Sequence, residues 1–276
     1  MKNIIISIIA FSIGYGIAFA TGIDLVKNAV VIAYLIQWVL FVPAYLLQTE
    51  KFYDLAGSIT YISIISFVFY KSSEFNLGSF ILSLLIIVWA IRLGSFLFFR
   101  IKEAGEDKRF RDIKPSPTRF FMTWTLQGTW VSICSACAIT AISTAEGIIM
   151  NKLFIIGMIT FIIGFLIEVV ADNQKTKFRS IPDNKDKFIT SGLWSYSRHP
   201  NYFGDLMCWV GLSTFTISSM DELSIALSAG GPLIMGLIFY KITGPMMDEL
   251  MIKSRPEYKE YIKESNMLLP NLMKGK

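Results

Sequence analysis

The stretch SYSRHPNYFGD, residues 195–205, places the chain's one histidine beside an arginine, an asparagine, two tyrosines and an aspartate, directly ahead of an apolar run. Pro200 suits the first turn of a helix, where its missing N–H costs nothing. From there Arg198, Asn201, Tyr202 and Asp205 recur at spacings of three and four, which puts them on one face at a helix start. Free backbone N–H groups at such a start, with Arg198 and His199, form a cradle for phosphate. The structural alternative is an interfacial cap with Tyr202 anchored among lipid headgroups. A cap needs one or two polar residues, however, and this stretch supplies six.

Three further groups carry candidate chemistry. In EVVADNQKTKFRS, Glu168, Asp172, Lys175 and Arg179 fall at i, i+4, i+7 and i+11, one helical face. Acid ahead of base also makes ordinary helix-stabilising pairs; the functional reading is that Lys175, Lys177 and Arg179 meet a polyanionic cofactor while Asp172 and Asn173 bond its sugar or amide. In IRLGSFLFFRIKEAGEDKRFRD, Arg92 lies well inside an apolar run and Arg100 two turns further on. An arginine at membrane depth calls for an anion, either a carboxylate such as Glu50 or Glu168 or a ligand phosphate. In LLQTEKFYDLAGSITY, Gln48, Glu50, Tyr53 and Asp54 gather, with Tyr61 about two turns on. A carboxyl group in an apolar site, or a tyrosine bonded to it, polarises a carbonyl and donates a proton; a plain loop with a helix cap is the alternative. The tail from Gly244 reads as an amphipathic helix on the membrane surface, with Asp248, Glu249, Arg255, Tyr258 and Tyr261.

These residues sit in a chain too apolar for a soluble domain. Of 276 residues 53% are hydrophobic and only 17% charged, with a mean hydropathy of +0.53. A spanning helix needs roughly 20 apolar residues. Eight stretches approach this, near 4–22, 28–47, 55–71, 78–99, 118–144, 151–171, 203–220 and 225–247, two of them marginal. No alternating strands are visible, so the expected fold class is all-α, a polytopic membrane helical bundle of seven or eight transmembrane helices in one domain, 1–276. The first segment has the basic start and AFA of a cleavable signal peptide, but its length and the span that follows at once favour a retained helix. Basic stretches at 100–117, 172–200 and after Glu249 should face the cytoplasm, since the connections Ser72–Leu77, Ala145–Lys152 and Ser219–Glu222 are short and poorer in cations. The net charge of +5 is therefore first an orientation signal and does not point to nucleic acid. Cys134, Cys137 and Cys208 all lie in apolar segments and read as packing residues. No GxGxxG after a strand, GxxxxGK[ST] or GxSxG occurs, and one histidine permits no HExxH. A nucleotide cofactor would have to be held by membrane helices.

GLWSYSRHPNYFGDLMCWVG, ADNQKTKF, GEDKRFRD and RPEYKEYIKESNMLLP together resemble the steroid 5-alpha-reductase family in its bacterial branch, from about Gln48 to Pro270, with 1–47 as N-terminal spans. RHPxY elements alone are shared with sterol reductases, isoprenylcysteine carboxyl methyltransferases and phospholipid methyltransferases. The resemblance implies a helical membrane reductase that binds NADPH at its cytoplasmic side, in the bacterial inner membrane, and reduces the C4=C5 bond of a 3-oxo-Δ4-steroid or similar lipophilic enone entering from the bilayer. No nucleic acid and no obligate protein partner are implied, only substrate and membrane lipid. By matching positions Asp172, Arg179, Tyr196, Asn201 and Asp205 would contact the cofactor, with Arg92 and Arg100 reaching it, and Gln48 and Glu50 would meet the substrate carbonyl. Two departures stand out. The Gln-Glu pair is separated here by Thr49, and the tyrosine that animal enzymes place before the arginine of the fourth segment aligns with Trp89, leaving Tyr53 or Tyr61 as substitute. A methyltransferase holding S-adenosylmethionine is the rival enzyme, and a transporter, for which repeated halves and broken midplane helices are missing, the rival of another class.

Overall fold

Apolar runs of about 20 residues leave the backbone no hydrogen-bond partner in lipid but itself, and helices are the local solution. The computed structural model describes residues 1–72 and 74–271. The chain is 78% helical, and among the described residues there is no strand. Seven helical stretches are long and apolar enough to cross a membrane. The protein is an all-α integral membrane protein.

In chain order the helices are α1 (Lys2–Ala20), α2 (Asp24–Leu46), α3 (Tyr53–Lys71), α4 (Leu77–Ala104), α5 (Pro117–Ile142), α6 (Lys152–Arg179), α7 (Pro200–Thr216), α8 (Glu222–Ser228), α9 (Gly230–Ile238), α10 (Gly244–Ser254) and α11 (Tyr258–Glu264). A π-helical turn, Phe239–Thr243, joins α9 to α10, so that Glu222–Ser254 reads as one long span. The expected span at 203–220 is instead α7, which begins at Pro200 and ends at Thr216, and its 17 residues fall short of a full crossing. The connections expected after α3, α5 and α7 fall where the helices end; Ser73, within the first of them, lies outside the described residues.

The described chain divides into two compact units. The first contains Met1–Leu153 and Thr216–Gly231. Its centre is α5, in which 83% of the apolar window is buried against 22–44% in the other six spans. The sequence of α5 explains this. Thr125, Gly128, Thr129, Ser132, Ser135, Ala136 and Ala138 give it a small-residue surface that α1, α2 and α3 approach closely. Several of its buried hydroxyls return to their own helix, Ser132 Oγ to Gly128 O at 2.8 Å, Ser135 Oγ to Val131 O at 2.6 Å and Thr129 Oγ1 to Thr125 O at 3.1 Å, so burial leaves these satisfied. Side-chain bonds then tie the helices together. The Tyr34 hydroxyl pairs with Thr129 Oγ1 at 2.9 Å, Trp38 Nε1 donates to Thr125 Oγ1 at 3.1 Å, and Gln37 Nε2 donates to Thr60 Oγ1 at 2.8 Å.

The second unit contains Phe154–Phe215 and Pro232–Lys276. Here α6 and α7 pack backbone against backbone. Each carries two glycines seven residues apart, Gly157 and Gly164 on α6 and Gly204 and Gly211 on α7, and they face each other in antiparallel register. A β-carbon at any of the four would stand 2.4–2.7 Å from a backbone atom of the opposite helix. Lipid provides no hydrophobic drive for helix association, so close van der Waals approach through small residues is what holds such a pair.

Candidate functional site

The glycine contact fixes what lies beyond it. Past Gly164, α6 continues through Glu168 and Asp172, both buried, and past Gly204 towards its N-terminus α7 carries Asn201. Asn201 Nδ2 donates to Asp172 Oδ1 at 3.3 Å, while Asn201 Oδ1 is buried with no hydrogen-bond partner. The helical face expected from Glu168 to Arg179 forms on one continuous helix.

The segment after α6 folds back on the last turns of that helix. Gly192 has φ +63°, and a β-carbon there would meet the Gln174 amide at 2.6 Å. Gln174 Oε1 accepts from Leu193 N at 3.0 Å, and Trp194 Nε1 donates to Ala171 O at 3.0 Å. Glycine is required here on both counts, conformation and contact. The buried Trp194, Ile189 and Ala171 then form a small apolar cluster with Phe178.

This fold-back encloses a cavity of about 360 Å³, within the range of small-molecule sites. Among the described residues six cationic side chains line it, namely Lys175, Arg179, Lys185, Lys187, Arg198 and Arg255, and no carboxylate does. Aromatic walls come from Trp194, Phe178, Phe188, Tyr258 and Tyr261. Lys175 Nζ stands 4.5 Å from the Trp194 ring centre. A cavity of this composition suits a flat ring carried on phosphates, because phosphate pairs with the cations and the ring stacks on the aromatic walls.

The SYSRHPNYFGD stretch has a different role from the phosphate cradle expected of it. The two N–H groups just ahead of α7 are taken, Arg198 N by Asn266 O at 2.9 Å and His199 N by Met267 O at 3.1 Å. Arg198 is buried. Its guanidinium pairs with Asp248 at 3.0 Å and donates to the carbonyls of Ile262 and Ser265. The motif is therefore a socket for the C-terminal segment, and the Ser197 hydroxyl, which donates to the carbonyls of Met267 and Leu268, completes it. His199 Nε2 lies 3.3 Å from Asp248 Oδ1. Its ring stacks on Tyr202, which stacks on Phe239 of the π-helical turn. Burial holds the His199 imidazole below its ordinary pKa, against the pull of Asp248. Tyr258 donates to Asp248 Oδ1 at 3.2 Å and Tyr261 to the Trp194 carbonyl, and burial pushes the Tyr261 hydroxyl up to about 12. Of the other expected cofactor contacts, Asn173 is exposed, Tyr196 is half-buried with its carbonyl accepting from Asn271 N, and Asp205 lies one turn beyond Asn201 on α7.

Arg92, Arg100 and the four expected catalytic residues belong to the first unit. Both arginines lie against the Phe96 ring on α4. Gln48 is exposed in a left-handed turn with φ 49°, and its amide donates to Tyr45 O at 2.7 Å, which closes the end of α2. Glu50 is buried; one carboxylate oxygen accepts from Asp107 N at 2.8 Å and the other pairs with Lys114. It pins the segment between α4 and α5, and a protonated Glu50 would leave the Lys114 ammonium without its partner. Tyr53 donates to Thr123 O at 3.0 Å and packs edge-on to Trp124. Tyr61 is buried, edge-on to Trp89 with ring centres 5.2 Å apart.

Sequence reasoning missed half of the cavity. Lys185 and Lys187 look like orientation charges, and Arg255, Tyr258 and Tyr261 like a surface helix. The signal that could have found them is the tail's two tyrosines, Tyr258 and Tyr261, three residues apart behind Arg255-Pro256, a pattern that a helix lying on lipid does not need.

Residues 40–265 match a family described as "Protein of unknown function (DUF1295)". The chain belongs to that family. The DUF1295 match takes in every residue lining the cavity and the whole of α3 to α11. Among curated proteins, "Probable O-methyltransferase ustE" of Ustilaginoidea virens is 30% identical over 95 residues, 34% of either chain. The chain thus spans about a third of the length of that relative. No solved structure matches the chain.

Proposed function

We propose that the protein is a membrane-embedded reductase that uses NADPH to reduce the C=C bond of a lipophilic enone, of the class of 3-oxo-Δ4-steroids, taken from the bilayer. The observation that carries this reading is the cavity of six cations, aromatic walls and no carboxylate. A dinucleotide with three phosphate groups supplies anions that such a lining can hold. In this reading Lys175, Arg179, Lys185, Lys187 and Arg255 hold phosphates, Trp194 and Tyr258 flank a ring, and Arg198 shapes the wall from beneath. When bound, NADPH supplies hydride to the carbon β to the carbonyl.

The protein's other task is to stabilise charge that builds on the carbonyl oxygen, and donors preorganised away from water do this most effectively. Gln48, Glu50 and Tyr53 are each engaged in holding backbone or loop. Tyr61 is the candidate that the resemblance favours, because it packs on Trp89, which aligns with the tyrosine of the animal enzymes. The resemblance to steroid 5-alpha-reductases supports the substrate class and the cytoplasmic, inner-membrane placement of the site.

The methyltransferase relative supports a second reading, transfer of a methyl group from S-adenosylmethionine to a lipophilic acceptor. That cofactor has no phosphate to meet Lys185, Lys187 and Arg255, which among the described residues have no carboxylate within ion-pair distance. Detergent-purified protein incubated with NADPH and progesterone decides between them. Steroid-dependent NADPH oxidation with a product two mass units heavier, reduced roughly 10²–10⁴-fold by Tyr61→Phe, supports the reductase. No oxidation with any enone, together with methylation of a lipophilic acceptor by S-adenosylmethionine, would establish the alternative.

A further inference from the structure

Arg255 stands where α10 ends, on extended backbone with φ −145° and ψ 89°, and its side chain reaches the segment that follows α6. Nε donates to Asp186 O at 2.8 Å, Nη2 to Lys185 O at 3.0 Å and Nη1 to Ser254 Oγ at 3.2 Å. Arg255 and Lys185 both line the cavity, so the guanidinium bridges its rim from the C-terminal side to the loop side. All three acceptors are neutral. Among the described residues no carboxylate stands within ion-pair distance of Arg255, Lys185 or Lys187, three cations gathered on one cavity.

The two sides of the rim are held unequally. The C-terminal segment is anchored by backbone bonds from Arg198, His199 and Asn271, by the Arg198–Asp248 pair and by Tyr261 on Trp194. The loop 181–187 is largely exposed, and its side-chain ties are Asn184 Nδ2 to Phe178 O at 3.0 Å and the Arg255 bridge. Releasing Arg255 would therefore free the loop and leave the tail in place. A phosphate can release it, since it offers the guanidinium a bidentate partner of opposite charge that two neutral carbonyls do not.

We propose that Arg255 is the clasp of the cavity. Without ligand it holds loop 181–187 across the rim; when a polyanion enters, it exchanges the carbonyls of Lys185 and Asp186 for a phosphate oxygen that Lys185 and Lys187 also face. This rests on the phosphate-bearing cofactor reading for the identity of the ligand, though not for the closure itself.

Met251, on the cavity wall, is replaced by cysteine and its labelling by N-ethylmaleimide followed in detergent, with the Met251 parent correcting for Cys134, Cys137 and Cys208, which are buried. Arg255→Met should speed labelling at least about tenfold, the loss of two charged hydrogen bonds. Equal rates in the two backgrounds overturn the clasp. Inorganic pyrophosphate should slow labelling when Arg255 is present and be needed at about tenfold higher concentration in Arg255→Met. Arg255→Lys, which keeps the charge without the two-carbonyl bridge, should recover pyrophosphate protection in part while labelling stays fast. An unchanged pyrophosphate requirement in Arg255→Met, or no protection in any background, overturns the exchange. NADPH is titrated in parallel. If pyrophosphate protects and NADPH does not, the clasp stands and the cofactor reading fails.

Discussion

The residues that decide this account are charged groups spent on architecture. Arg198 is the plainest case. Removing one partner of a buried ion pair leaves the other charge stranded, typically at a cost of about 3–5 kcal/mol. Arg198→Ala should therefore release the C-terminal segment, seen as rapid tryptic cleavage after Lys259 and Lys263 and a lowered denaturation midpoint, while Arg198→Met with Asp248→Leu should restore much of the loss. A pure phosphate ligand would give neither effect. Glu50 is similar. Glu50→Gln should loosen the segment between α4 and α5 and speed tryptic cleavage after the exposed Lys108, Arg109 and Arg111, because Lys114 loses its carboxylate. His199 adds a pH dependence. Its folded pKa is depressed below the ordinary 6.5, so above 6.5 neither state takes the extra proton and this contribution is fully present. As pH falls below 6.5 the unfolded chain protonates first and stability declines, levelling only when folded His199 also protonates. Denaturation midpoints from pH 8 to 5 should show that decline in the parent and lose this component in His199→Gln.

Helix positions and periods were legible, because composition and length write them directly. Eight apolar stretches became seven spans and the shorter α7, and Pro200 began a helix as its missing N–H requires. The α6–α7 contact was harder to read. Gly157, Gly164, Gly204 and Gly211 are ordinary glycines until their pairing is known, and pairing is a tertiary fact that a single sequence does not carry. Gly204→Leu should separate the helices and destabilise the protein by at least about 1–3 kcal/mol, the usual range for overpacking. Gly16→Ala is the control; a β-carbon there meets nothing within 4 Å, and the helix should gain about 0.5–1 kcal/mol. Comparable losses in the two variants would contradict the backbone contact.

At the scale of the whole molecule, part of the polar chemistry that the sequence singles out gathers on one cavity, and its partners come from distant segments. Lys175, Arg179, Arg198 and His199 do line one cavity. Arg198 was read as the phosphate ligand because an arginine before a helix start suits anions, yet its anion is Asp248, 50 residues away in sequence. The tail residues were read as a membrane-surface helix because amphipathicity is local, whereas Tyr258 and Tyr261 wall a cavity formed by the fold-back after α6.

In the proposed reading this cavity takes a phosphate-bearing nucleotide. Equilibrium binding of NADPH and of S-adenosylmethionine to the purified protein, read by energy transfer from tryptophan and by calorimetry, is the decisive measurement. NADPH should bind, added salt and pyrophosphate should weaken it, and Lys187→Ala should lower its affinity about tenfold, the loss of one charged contact. Binding of S-adenosylmethionine without binding of NADPH would overturn the reading.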